Sequence, residues 1–118
     1  MSDEYDTKRI QELRDSSESL RKYIIDAKWK IRELDGMITD LMIYREDKVA
    51  ELMALDDTYE DDEMDKPDSG FVKEAIEIEN RVEREIDEIR KKQERWNDQI
   101  KAMTREKEEV DSLLKDLS

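Results

Sequence analysis

The 118-residue sequence predicts an all-α fold, in which two long helices fold back on each other as an antiparallel coiled-coil hairpin. Three observations lead there. Apolar residues recur in steps of three and four along both halves of the chain, and the two arrays have the same length. Between them lies a polar stretch that holds the only Pro, Pro67, and one of the two Gly, Gly70.

The first helix is expected over about residues 4–56. Its repeat places Ile10, Ser17, Ile24, Ile31, Ile38, Arg45 and Leu52 at heptad position a, and Leu13, Leu20, Ala27, Leu34, Leu41, Lys48 and Leu55 at d. The second helix, over about 70–117, carries Val72, Glu79, Ile86, Gln93, Ile100, Lys107 and Leu114 at a. Ala75, Val82, Ile89, Trp96, Met103, Val110 and Leu117 are its d residues. Each array covers 46 residues, roughly 69 Å at 1.5 Å per residue, so folding back aligns them end to end. The expected organisation is one helical-hairpin domain over residues 1–118, with an acidic connection at 56–71.

Setting Leu55 against Val72 makes the numbers of paired residues add to 127 throughout. Ile31 then meets Trp96, Ala27 meets Ile100, Leu41 meets Ile86, and Leu13 meets Leu114. Arg45, Gln93 and Lys107 face apolar residues, where long stems lie along the seam with their polar ends turned to water. Lys48 faces Glu79, a pair that fixes register, because a parallel dimer of the first helix would stack Lys48 on Lys48.

The back of the second helix is polar, with Glu77, Arg84, Lys91, Asp98, Arg105 and Ser112 at position f. The first helix departs from this pattern. Its f positions include Trp29, Gly36, Ile43 and Ala50, flanked at b by Ile25 and Met53. Met37 and Tyr44 at g, and Met42 and Val49 at e, add apolar surface beside the seam, joined on the second helix by Ile76 and Ile78 near the same end. A helix apolar on so much of its circumference is expected to be covered. Gly36 costs about 1 kcal/mol relative to Ala inside a helix and lets another backbone approach, or else marks a local kink among scattered surface groups. The favoured expectation is a helix partner on this face, either a second copy in a four-helix bundle or a heteromeric protein.

Charge is concentrated in the connection. Of the net −13, residues 56–71 contribute −7, with Asp57, Glu60, Asp61, Asp62, Glu63 and Asp65 forming an acidic tip. Such a tip engages a basic surface, or else is a self-repelling loop. Tyr59, Met64 and Phe71 offer anchors among the acids. The spacing does not match an EF-hand. The strong negative charge argues against direct binding to nucleic acid or an anionic membrane, both of which call for Lys and Arg.

With no Cys and no His, thiolate nucleophiles, zinc sites and imidazole acid–base chemistry fall away, and neither cofactor nor metal is expected. Ser19 and Lys22 match S-x-x-K without the other elements of that site, and Glu79, Glu83 and Asp87, with Glu46 and Glu51 opposite, read as salt-bridged faces. The absence of an apolar span and of a signal-like start points to a cytoplasmic, soluble, non-enzymatic protein.

In length and helix–connection–helix plan the chain resembles prefoldin subunits, molecular chaperones whose helices emerge from strands. The resemblance is to the plan alone, because residues 56–71 lack the alternating β-branched strands from which that family builds its barrel. Three functions are therefore carried forward. One is an adaptor or scaffold acting through helix packing. Another is a small acidic inhibitor of the phage or mobile-element type, occupying the groove of a basic nucleic-acid-binding protein. The third is a holdase-like chaperone.

Overall fold

A computed structural model describes the backbone of residues 2–58 and 70–117, and the side chains of residues 6–55 and 70–117. It contains two helices, α1 (Ser2–Thr58) and α2 (Gly70–Leu117), packed antiparallel as a helical hairpin. Both helices are rich in Glu, Lys and Arg, which lose little rotamer freedom in a helix, and neither contains Pro. Exposed pairs one turn apart add small local support, such as Arg21 on Glu18 and Lys30 on Glu33. None of the described residues forms a helix long and apolar enough to cross a membrane.

Packing divides the chain into a terminal unit, Met1–Glu33 with Lys92–Ser118, and a central unit, Leu34–Lys91. The heptad stripe is the inner surface of each. From Ile10 to Leu52 every a and d residue of α1 is buried or partly buried, while Leu55 and Leu117 at the array ends are exposed.

In the terminal unit the seam is thin. Among its described residues only Ala27 is buried, and Ile10, Leu13, Leu20, Ile24, Ile31, Trp96, Ile100, Met103 and Leu114 are all partly exposed. Its polar seam residues have found partners. Ser17 Oγ donates to Asp111 Oδ1 at 2.6 Å, and Lys107 Nζ donates to Asp111 Oδ2 at 2.7 Å. Gln93 Nε2 donates to the backbone carbonyl of Ile31 at 3.1 Å. Among the described residues no buried side-chain polar atom is left without a partner, as a seam with such narrow apolar cover requires.

The central unit holds the larger core, made of Ile38, Leu52, Ala75, Ile78, Val82, Ile86 and Ile89. Leu34, Leu41, Met42, Val49 and Phe71 pack against it. Here the stripe on α2 departs from the heptad. Ile78 is buried and Glu79 is exposed, so the inner residues run 75, 78, 82, 86, 89 with two consecutive steps of four. A step of four and a step of three are exchanged at this one place while Val82, Ile86 and Ile89 keep their heptad positions, so the helix turns an isoleucine inward where strict heptad spacing would have inserted a carboxylate. Lys48, expected to face Glu79, instead places its amine 3.4 Å from Glu51 on its own helix. Register in this unit rests on the apolar layers and on Arg81, which donates to the Tyr44 hydroxyl at 3.3 Å. The inter-helix bonds from Ser17, Tyr44 and Ile31 join residues whose numbers add to within about three of the expected 127.

Two predictions follow from this packing. Ile78→Ala should cost about 2–4 kcal/mol in urea unfolding, whereas Glu79→Ala should stay within about 0.5 kcal/mol of the parent. Equal losses would return Glu79 to the seam. The second concerns acid. Hydrogen bonds from Lys107, then from Ser17, hold the Asp111 carboxyl below its usual range. A carboxyl depressed in the folded chain stabilises above its unfolded pKa, and that contribution is lost as pH falls through the folded value. Asp111→Asn should therefore melt below the parent near neutral pH, and the gap should close in acid. A gap independent of pH would show that the carboxylate does not act through its charge.

Candidate protein-binding face

Residues at f and b of α1 lie opposite its seam, and in both units they remain open. In the terminal unit Ile25 and Trp29 are exposed, with Trp29 at 57%. The guanidinium of Arg32, one turn further on, lies 5.2 Å from the centre of the indole ring. A cation over an exposed ring is worth about 0.5–1 kcal/mol and shields one face of the indole from water. Tyr23, 64% exposed, adds an aromatic group that the sequence reading missed. It sits at g, where heptad spacing alone does not decide between the seam and the surface.

In the central unit Met37, Ile43 and Met53 are exposed, with Ile43 at 52%, and Ala50 and Gly36 are open beside them. A Cβ built on Gly36 meets nothing within 4 Å, so the glycine admits no close neighbour from its own chain. The helix runs unbroken through Gly36, and Thr39 Oγ1 donates back to the Asp35 carbonyl at 3.1 Å. The other expected interface residues serve the fold. Met42 and Val49 are partly buried against the central core, and Tyr44 is exposed but accepts its hydrogen bond from Arg81. On α2 the f residues from Glu77 to Ser112 are exposed and polar, and Ile76 and Leu113 are exposed apolar groups beside them, one in each unit.

The structure adds a shallow groove of about 720 Å³ in the central unit. Leu52, Leu55, Phe71 and Ile78 supply its apolar lining, and Lys48, Arg81 and Arg84 alternate with Glu51, Glu74 and Glu77 along its edges.

Nothing comparable gathers around the residues weighed for catalysis. Ser19, Lys22, Glu79, Glu83 and Asp87 are all exposed, and among the described residues no three carboxylates converge on a cation position. The acidic tip, Asp57, Glu60, Asp61, Asp62, Glu63 and Asp65, lies outside the residues whose side chains are described. Compared with known proteins, the chain matches no family model, and no curated protein or solved structure is significantly similar to it.

The open surroundings of Gly36 give a direct test. In dilute solution Gly36→Ala should raise unfolding stability by about 1 kcal/mol, the helix-propensity gain with no steric cost. A loss measured by urea titration would mean that the position is crowded even in the isolated chain.

Proposed function

We propose that this chain is a non-enzymatic protein–protein interaction module, an adaptor or scaffold that works through the outer face of α1. The observation that carries the reading is an asymmetry between the two helices. The outer positions of α2 are polar, with Ile76 and Leu113 exposed singly at the margins of its seam, while α1 exposes Ile25 and Trp29 in the terminal unit and Met37, Ile43 and Met53 in the central unit. Single exposed apolar groups are ordinary, but a run of large ones on a helix whose opposite side already serves the fold has a cost in solubility that a partner removes. Aromatic and Met side chains are also the types enriched at the centres of interfaces.

The test is capture of partners from the native host on immobilised protein, with a Trp29→Glu, Ile43→Glu variant as control. Binding through this face should be abolished in the variant. It should also survive an increase from about 0.1 M to 1 M salt, which shortens the screening length from about 10 Å to 3 Å. Binding untouched by the variant but lost steeply with salt would overturn the reading in favour of an acidic inhibitor acting through the connection.

A further inference from the structure

The acidity of the chain is not spread evenly over it. Residues 34–91 carry 20 acidic and 8 basic side chains, −12 of the net −13, so the terminal unit is close to neutral and its charge is patterned. From Arg21 to Arg32 on α1, five basic residues stand against one acid, Asp26. At heptad positions e, b and f of that stretch are Arg21, Lys22, Ile25, Lys28, Trp29 and Arg32, all exposed and none acidic. The bordering acids are already answered. Glu18 is bonded to Arg21 and Glu33 to Lys30, and Asp26 stands one turn from both Lys22 and Lys30. Lys22, Lys28 and Arg32 form no ion pair among the described residues. On α2 the row at the same margin, marked by the bond from Ser17 to Asp111, continues through Thr104 and Asn97, neither of them charged. Lys101 follows at b, with Glu94 and Glu108 each seven residues from it, roughly 10 Å along the helix.

We propose that this face of the terminal unit takes an acidic amphipathic helix of a partner protein, with apolar side chains on Ile25 and Trp29 and Asp or Glu on Lys22, Lys28 and Arg32. The proposal rests on the reading of the outer face of α1 as a protein-binding surface and names the chemistry of what it binds. Ile25 and Trp29 are one turn apart, a spacing that a second helix meets with apolar residues at i and i+3 or i+4. The three cations surround that pair. Arg32 is stacked 5.2 Å from the centre of the indole ring, which steadies its guanidinium and leaves the N–H fork to donate to a carboxylate. Exposed ion pairs are individually weak, so the apolar pair holds the partner and the cations choose its sign. A basic helix would set like charge on Lys22, Lys28 and Arg32 together. Nucleic acid is a poorer occupant than an acidic helix, because its affinity grows with the number of phosphates neutralised, and three cations without an ion pair serve it here while the central unit repels a long polyanion.

Selection of helical peptides from a randomised display library on the immobilised full chain should enrich sequences of net negative charge with apolar residues three and four apart. The same selection on the Lys22→Glu, Lys28→Glu, Arg32→Glu chain should lose the negative bias. The best acidic peptide should bind the parent about tenfold more tightly than its copy with Lys in place of every Asp and Glu, and the triple variant should abolish that preference. All three positions are exposed, so circular dichroism should show the helices retained. No enrichment, enrichment without charge bias, the same bias on the triple variant, or a single-stranded DNA oligonucleotide that binds more tightly than the peptide would overturn the proposal. The broader reading fails on a different result, capture of partner proteins that ignores Trp29→Glu, Ile43→Glu.

Discussion

The constraint on which the structure depends is that a seam between two helices covers each side chain from one direction only. In a wide core an isoleucine is surrounded, but here most seam residues of the terminal unit keep part of their surface in water, and among its described residues only Ala27 is buried. Apolar burial per residue is correspondingly small, and a chain with 48% charged residues has little else to add. Specificity therefore has to come from the seam's exceptions. Ser17, Lys107 and Asp111 form one polar layer, and Gln93 reaches the Ile31 carbonyl in another. Neither layer contributes much free energy, but sliding the helices by a turn would break both and leave polar groups against apolar neighbours.

The central unit meets the same constraint by thickening the seam. Met42 and Val49 on α1, and Phe71 and Ile78 on α2, are drawn in beside the a and d residues, so Val82 is nearly inaccessible, at 1%. Ile78 taking the place of Glu79 in the seam is the means. Turning that residue inward adds a large apolar group and releases Glu79 to water, a double gain that outweighs the departure from heptad spacing.

The fold was legible in the sequence because one period controls it. Alternating steps of three and four over 46 residues place Ile10 through Leu52 on one side of α1, and the structure buries that side at least in part. What the period does not control was not legible. Positions e and g lie at the seam's margins, where side-chain reach and the size of the facing residue decide the outcome. Met42 and Val49 turned to the core, Tyr44 paired with Arg81, and Tyr23 stayed in water. The Lys48 and Glu79 pairing misled for a related reason. A heptad assignment extrapolates across a one-residue departure, and a charged residue next to an isoleucine is where a helix gains most by making one. On the candidate face, Ile25, Trp29, Ile43 and Met53 were legible because f and b lie far from the seam, where no intramolecular contact competes for them.

That distance from the seam also makes the outer strip informative. A position inside a fold answers to many neighbours, but a residue at f or b of α1 has no such obligation within its own helix pair, and charge there would favour solubility. That Ile25 and Trp29 in the terminal unit, and Ile43 and Met53 in the central unit, are apolar instead is a cost which nothing in the helix pair repays, and a partner covering them would remove it.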